Sequence, residues 1–238
     1  YQLYFLFRPG GPFALKREHL NWAVDTMWGI VKVSLGSVGQ FLIASASWMV
    51  LVNIIASDGT AAAAGCTTAI RIVIFTLLPA WGMANAAATL VGQNLGAGQP
   101  DRAQRSAWLC GHYNTMFMIL VAVVFWIAAD QIVPFFGNSA QANGYAADGL
   151  RIISLGYFFY GYGMVLAQAF NGAGDSVTPT WMNVVCFWCM EIPIAWLLAV
   201  HMGYGPNGAF ASVAISESFL AVLSAVIFQR GKWKLVKV

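Results

Sequence analysis

Three ionisable side chains, Arg71, Glu191 and Glu217, stand inside long apolar runs of the chain. A charge placed there is expensive and marks a candidate functional position. Glu191, two residues before Pro193, and Glu217 are carboxyls of the kind that can bind and release a proton away from bulk water. Each also has a structural alternative. Arg71 could pair with Glu191 or with helix carbonyls, Glu191 with the carbonyls that Pro193 leaves free, and Glu217 with Ser216 or Ser218. Around them are uncharged polar groups: Gln40, Ser45, Ser47 and Asn53 in one run, and Tyr157, Tyr160, Tyr162 and Gln168 in another. Such groups line a cavity or bond between helices. With the surrounding aromatic and methionine side chains they suit a lipophilic cation or heterocycle.

Other chemistry is poorly represented. Cys186 and Cys189 form a C-x-x-C pair, but no histidine or second cysteine pair has matching spacing, so they read as small packing residues and no metal site is expected. His112 is one histidine near the end of a span and reads as structural, although histidine can titrate near neutral pH. No HExxH, Gly-x-Ser-x-Gly or phosphate-binding loop is present, so neither an enzyme nor a cofactor is expected.

The elements that carry these residues are membrane helices. Of the 238 residues, 59% are apolar and 9% charged, against roughly a quarter charged in soluble domains. The apolar runs cover about 26–55, 61–95, 107–136, 145–171, 177–202 and 207–228. Each reaches the roughly 20 residues that a spanning helix needs, and none alternates as a barrel strand would. Arg8, Lys16, Arg17, Arg102, Arg105, Arg230, Lys232, Lys234 and Lys237 fall on one side of these spans and only Arg151 on the other; Lys32 and Arg71 lie within spans. The positive-inside rule then places both termini in the cytoplasm. The net charge of +3 is a topology signal and calls for no nucleic acid. Trp233, between Lys232 and Lys234, suits a headgroup anchor.

Two spans end alike. Gln93-Asn94-Leu95-Gly96-Ala97-Gly98-Gln99-Pro100-Asp101 closes the second, and Asn171-Gly172-Ala173-Gly174-Asp175-Ser176-Val177-Thr178-Pro179 closes the fourth. Glycine ends a helix in the left-handed conformation, proline suits the first turn of the next, and Asp101 and Asp175 sit where carboxylates support a helix start. Pro79 lies inside the second span, followed by Gly82, Ala84, Ala86, Ala87, Ala88 and Gly92, a small face that permits close helix approach.

These segments carry a resemblance. Leu78-Pro79-Ala80-Trp81-Gly82-Met83-Ala84-Asn85 through Gly92-Gln93-Asn94-Leu95-Gly96-Ala97-Gly98 resembles the second helix of the C-terminal half of a MATE (multidrug and toxic compound extrusion) transporter. Gln168-Ala169-Phe170-Asn171-Gly172-Ala173-Gly174-Asp175 is similar to that half's fourth helix, and Glu191-Ile192-Pro193-Ile194-Ala195-Trp196 to its fifth. The resemblance implies an all-α integral membrane fold of twelve helices in two lobes. Residues 26–229 would be the C-terminal six-helix lobe, 1–25 the end of the preceding helix with a cytoplasmic linker, and 230–238 a basic cytoplasmic tail.

It further implies a multi-pass protein of the plasma (inner) membrane. Such a protein exports small organic, often cationic, compounds in exchange for H+ or Na+ by alternating access, with an N-terminal lobe as partner. Gln40, Asn53, Arg71, Tyr160, Gln168, Glu191 and Glu217 become candidates for substrate binding or coupling. Pro79, Gly96, Gly98, Gly172, Gly174 and Pro193 become candidates for gating. The sodium-coupled branch carries acidic residues in this lobe's first and fourth helices, whereas here Asp25 and Asp58 lie only at helix ends. That departure favours H+ through Glu191, Glu217 or an acid of the other lobe. A lipid-linked oligosaccharide flippase would need a strongly cationic cavity, and only Arg71 and Lys32 lie within spans. A non-transporting scaffold would need none of the polar groups named above.

Overall fold

The computed structural model describes residues 23–235, apart from the side chains of Lys32, Val33 and Leu235. The expectations for 1–22, for Lys32 and for Lys237 lie outside the described residues. Residues 1–35 and 36–238 form two units. The first contributes only the start of one helix to the described residues, and the packing below belongs to the second.

The described chain is helical throughout, without strands. Helix α1 runs Val24–Ala56, α2 Thr60–Gly96 and α3 Pro100–Ile132, with a tighter turn Val133–Phe136 after it. Then come α4 (Ala140–Ser154), α5 (Tyr157–Gly172), α6 (Val177–Asn183), α7 (Ile192–Trp196) and α8 (Gly205–Gln229). The stretch Val177–His201 is one continuous span: between and after α6 and α7 the chain widens into π-helical turns at Val184–Glu191 and Leu197–His201. Five spans are thus long and apolar enough to cross a membrane, and the bent pair α4–α5 makes a sixth. Helix α2 has 37 residues, about 55 Å at 1.5 Å per residue, so it outreaches the hydrocarbon layer.

The fourth span departs from the expected single helix. It breaks between Ser154 and Tyr157, and its halves meet at 64°. The backbone tightens there, with Leu155 N–H donating to the Ile152 carbonyl and Gly156 N–H to that of Ile153. The Ser154 hydroxyl also takes the Arg151 carbonyl out of the helical ladder. Gly156 lets the corner press on α8, since a Cβ there would lie 3.1 Å from Ala214 Cα. Asn143, Asp148 and Arg151 make α4 the polar half, and Asp130 of α3 accepts the Arg151 guanidinium in an ion pair.

The fifth span is wide for a physical reason. Pro193 has no N–H to donate, and its ring crowds the preceding turn. The chain on its N-terminal side takes i to i+5 bonds, with Ile192 N–H donating to the Phe187 carbonyl. Such insertions recur at functional sites. Pro79, in contrast, leaves α2 one uninterrupted helix.

Small residues set the close crossings. A Cβ on Gly172 would sit 2.2 Å from the Ala88 carbonyl oxygen, so α2 and α5 touch backbone to backbone. The core divides accordingly. Leu51, Met118, Phe125, Leu150 and Phe210 fill one end, and Leu166, Phe170, Phe228 and Trp233 the other. Trp233 does not lie among headgroups: it is 1% exposed, stacks on Phe228 at 4.4 Å and donates its indole N–H to the Phe228 carbonyl. Lys234 then reaches Asp101 at 3.0 Å, which puts the tail and the start of α3 at one end of the bundle and the Asp130–Arg151 pair at the other.

Candidate functional site

Glu191 ends the first π-helical stretch and points inward, where it is 2% exposed. Ser47 of α1 donates its hydroxyl to Oε1 at 3.2 Å, and the Ser216 hydroxyl of α8 lies 3.4 Å from Oε2. One carboxyl therefore joins the first, fifth and sixth spans. The Trp188 indole N–H, donating to the Ile43 carbonyl at 3.2 Å, adds a second tie between the first and fifth. Among the described residues no cation reaches Glu191. The expected pairing with Arg71 does not form, and the two serines take its place.

The Ser216 hydroxyl has one proton and several acceptors. Its shortest bond, 2.6 Å, goes to the Ser212 carbonyl on its own helix. With that proton so placed, the lone pairs of Ser216 face Glu191 Oε2 and can accept a proton from it. With the proton turned the other way, Ser216 and Ser47 both donate to a charged carboxylate. The shell thus accommodates either state of Glu191 by rotating one hydroxyl.

Glu217, one residue on from Ser216, is half-buried, and Tyr160 of α5 lies within electrostatic reach of both Glu217 and Glu191. Tyr160 stacks on Tyr157 at 6.4 Å between ring centroids. The expected bonds from Ser216 and Ser218 to Glu217 are absent among the described residues. Ser218 instead donates to the Ala214 carbonyl of its own helix.

A second polar cluster sits nearer the glycine-rich stops. Gln40 of α1 donates to Asn171 Oδ1 at 3.0 Å and to the Ser176 carbonyl at 3.2 Å, while Asn171 donates back to Gln40 and to Gln168 Oε1 at 3.1 Å. Seven residues separate Gln40 from Ser47, about 10 Å along α1. The structure therefore holds Glu191 between Ser47 and Ser216, with Glu217 and Tyr160 at longer range, and joins Gln40 with Gln168 in a separate cluster. Asn53 and Arg71 belong to neither. Asn53 is exposed and donates to the Met49 carbonyl of its own helix, and Arg71 lies on the rim of an apolar groove between α2 and α3.

The sequence profile of the MatE family matches residues 37–197, most of the chain. This chain belongs to the MatE family. It is 23% identical over 208 residues to the probable multidrug resistance protein NorM of Thermotoga maritima, covering 86% of this chain and 44% of that protein. It is 23% identical over 226 residues to the probable multidrug resistance protein YpnP of Bacillus subtilis, covering 95% and 50%. A solved MATE in complex with MaL6 superposes with a TM-score of 0.88 at 19% identity, over 97% of this chain and 53% of that one. The chain spans about half the length of the curated relatives it matches.

Within this MatE chain, sequence reasoning missed the role of Asn171, which is the hub of the second cluster and not merely part of a helix stop. It also missed Asn114 of α3, fully buried and donating to the Gly161 carbonyl at 2.9 Å, and its neighbour Thr115. The signal for both was available: adjacent Asn114 and Thr115 are uncharged polar residues within the third apolar run, and Gly161 of α5 lies against Thr115.

Proposed function

We propose that residues 26–229 form one six-helix lobe of a secondary antiporter that exports small organic, often cationic, compounds in exchange for H+ by alternating access, and that Glu191 carries the coupling proton. The observation that supports this best is the Glu191 shell. A buried carboxyl held by two hydroxyls and no cation can change charge in place, whereas a carboxylate locked to an arginine cannot do so without stranding that arginine. Glu191 joins three spans, so its charge state would bear on how they pack. Glu217 and Tyr160 supply a nearby second carboxyl and an aromatic surface, the elements for balancing an organic cation against a proton. Coupling by Na+ would call for more oxygen ligands around one point than Glu191 has gathered.

The remaining spans of a two-lobe protein, the cytoplasmic placement of both termini, the linker at 1–25 and the tail at 230–238 belong to the same proposal. Names of relatives such as multidrug resistance protein support it. Arg71 of the second span lies away from Glu191, and no cation among the described residues reaches Glu191, so a lipid-linked pyrophosphate would find no cationic basin in this cluster.

The test is pH-gradient-driven efflux of a fluorescent organic cation from vesicles containing the full-length transporter that carries this lobe. Glu191→Gln should reduce efflux to the level of empty vesicles while expression and thermal midpoint stay near wild type. Glu217→Gln should slow efflux without abolishing it. Full efflux by Glu191→Gln would sink the assignment and move coupling elsewhere.

A further inference from the structure

A groove of about 610 Å³ runs between α2 and α3. Ile72 and Phe75 on one side, and Leu120, Val124 and Phe125 on the other, make it almost wholly apolar. Its one charged group is Arg71, which is exposed and has no ion-pair partner among the described residues.

The depth of Arg71 follows from its neighbours. Ile132 and Phe136, which end the third span, line the same groove. Asp130, two residues before Ile132, is 70% exposed in its pair with Arg151, so this end of the bundle meets water. Arg71 is therefore level with the polar edge of the membrane, while Leu120 and Val121, three turns back along α3, lie well inside the hydrocarbon. A guanidinium at the edge above an apolar slot matches an anionic headgroup above its acyl chain.

We propose that this groove is a binding site for one anionic glycerophospholipid, its phosphate on Arg71 and an acyl chain along Phe75, Val121 and Val124. Charge complementarity carries the choice of occupant. A neutral lipid would leave the guanidinium without a counter-charge at the membrane edge, and a wholly apolar partner helix would bury it unpaired. The inference does not depend on what the protein transports or on which ion drives it.

Native mass spectrometry of the protein released from micelles holding equal phosphatidylglycerol and phosphatidylcholine tests it. Wild type should retain phosphatidylglycerol by roughly five-fold over phosphatidylcholine, the size of one cation–headgroup contact at a membrane surface. Arg71→Gln should bring the ratio to parity, and Arg71→Lys should keep most of the preference. Val124→Trp, which fills the slot and leaves Arg71 in place, should lower retention of both lipids. Soluble glycerol phosphate, which has the anion but no acyl chain, should not displace the bound lipid. Four results would each overturn the proposal: no preference in wild type, as when another protein segment covers the groove; an unchanged ratio in Arg71→Gln; unchanged retention in Val124→Trp; or displacement by glycerol phosphate.

Discussion

The two Gly-Ala-Gly stops share one local code and are put to different uses. Both end their helix on a left-handed glycine, Gly98 at φ 69° and Gly174 at φ 82°. Both close with the same backbone bond across five residues, from Gln99 N–H to the Asn94 carbonyl and from Asp175 N–H to that of Phe170, at 2.8 and 2.9 Å. Beyond the backbone the likeness stops. Gly96 faces open space, whereas Gly172 lies against Ala88. Asn94 donates to the Leu90 carbonyl of its own helix and, at 3.4 Å, to the Ser106 hydroxyl of α3, whereas Asn171, one place later in the register, joins Gln40 of α1 and Gln168. Residues that shape the backbone act the same way wherever they occur. Residues that pack act according to what the fold brings opposite them.

The sharpest way to break this comparison is to add one methyl group at each stop. Gly172→Ala forces a Cβ into the Ala88 backbone, which is neither flexible nor able to rotate away, so overpacking of about 1–3 kcal/mol is expected, or more if α2 and α5 must separate. Gly96→Ala meets nothing and gains helix propensity, roughly 0.5–1 kcal/mol in the stabilising direction. Thermal unfolding of the two variants in the same detergent reads the difference. If Gly172→Ala melts with wild type, the helix crossing is looser than its geometry and the contrast fails.

The shared part of the code gives the next prediction. Gly98→Ala and Gly174→Ala both place a Cβ on a left-handed residue, at about 1–2 kcal/mol each. The two losses should agree despite the different surroundings. A loss at Gly174 far above that at Gly98 would mean that packing reaches even the turn itself.

The same division explains what the sequence disclosed. Span number and ends were legible because hydropathy and the Gly/Pro stops are local: α2 expected over 61–95 forms over Thr60–Gly96, and the last span expected over 207–228 forms over Gly205–Gln229. Glu191 and Glu217 were legible as rare charges in apolar runs. The partners were not, because they depend on which faces meet. Arg71 and Glu191 attract each other on paper, but one lies on the rim of a groove and the other between Ser47 of α1 and Ser216 of α8. The bend at Ser154–Gly156 was hidden because each half is apolar enough to read as part of one span, although the polar residues of α4 were in view.

The smallest expected effects concern the two aspartates that follow the stops. Asp175 accepts the Thr178 N–H at 3.0 Å and the Thr178 hydroxyl at 2.6 Å, a cap on the first turn of the fifth span. Asp175→Ala leaves that N–H without its partner, and about 1 kcal/mol should be lost. Asp101 is 97% exposed and among the described residues pairs only with Lys234, which is already held near Trp233. An exposed pair of this kind is weakened by solvent and by salt. Asp101→Asn should leave the melting midpoint unchanged at moderate ionic strength, and any loss at low salt should vanish as salt is added. Asp175→Ala should lose stability at every salt concentration, because its principal bond runs to a backbone N–H that carries no mobile counter-charge. A salt-independent loss at Asp101 would show that the Lys234 contact orders the Trp233 segment, and the two aspartates would then differ in partner but not in weight.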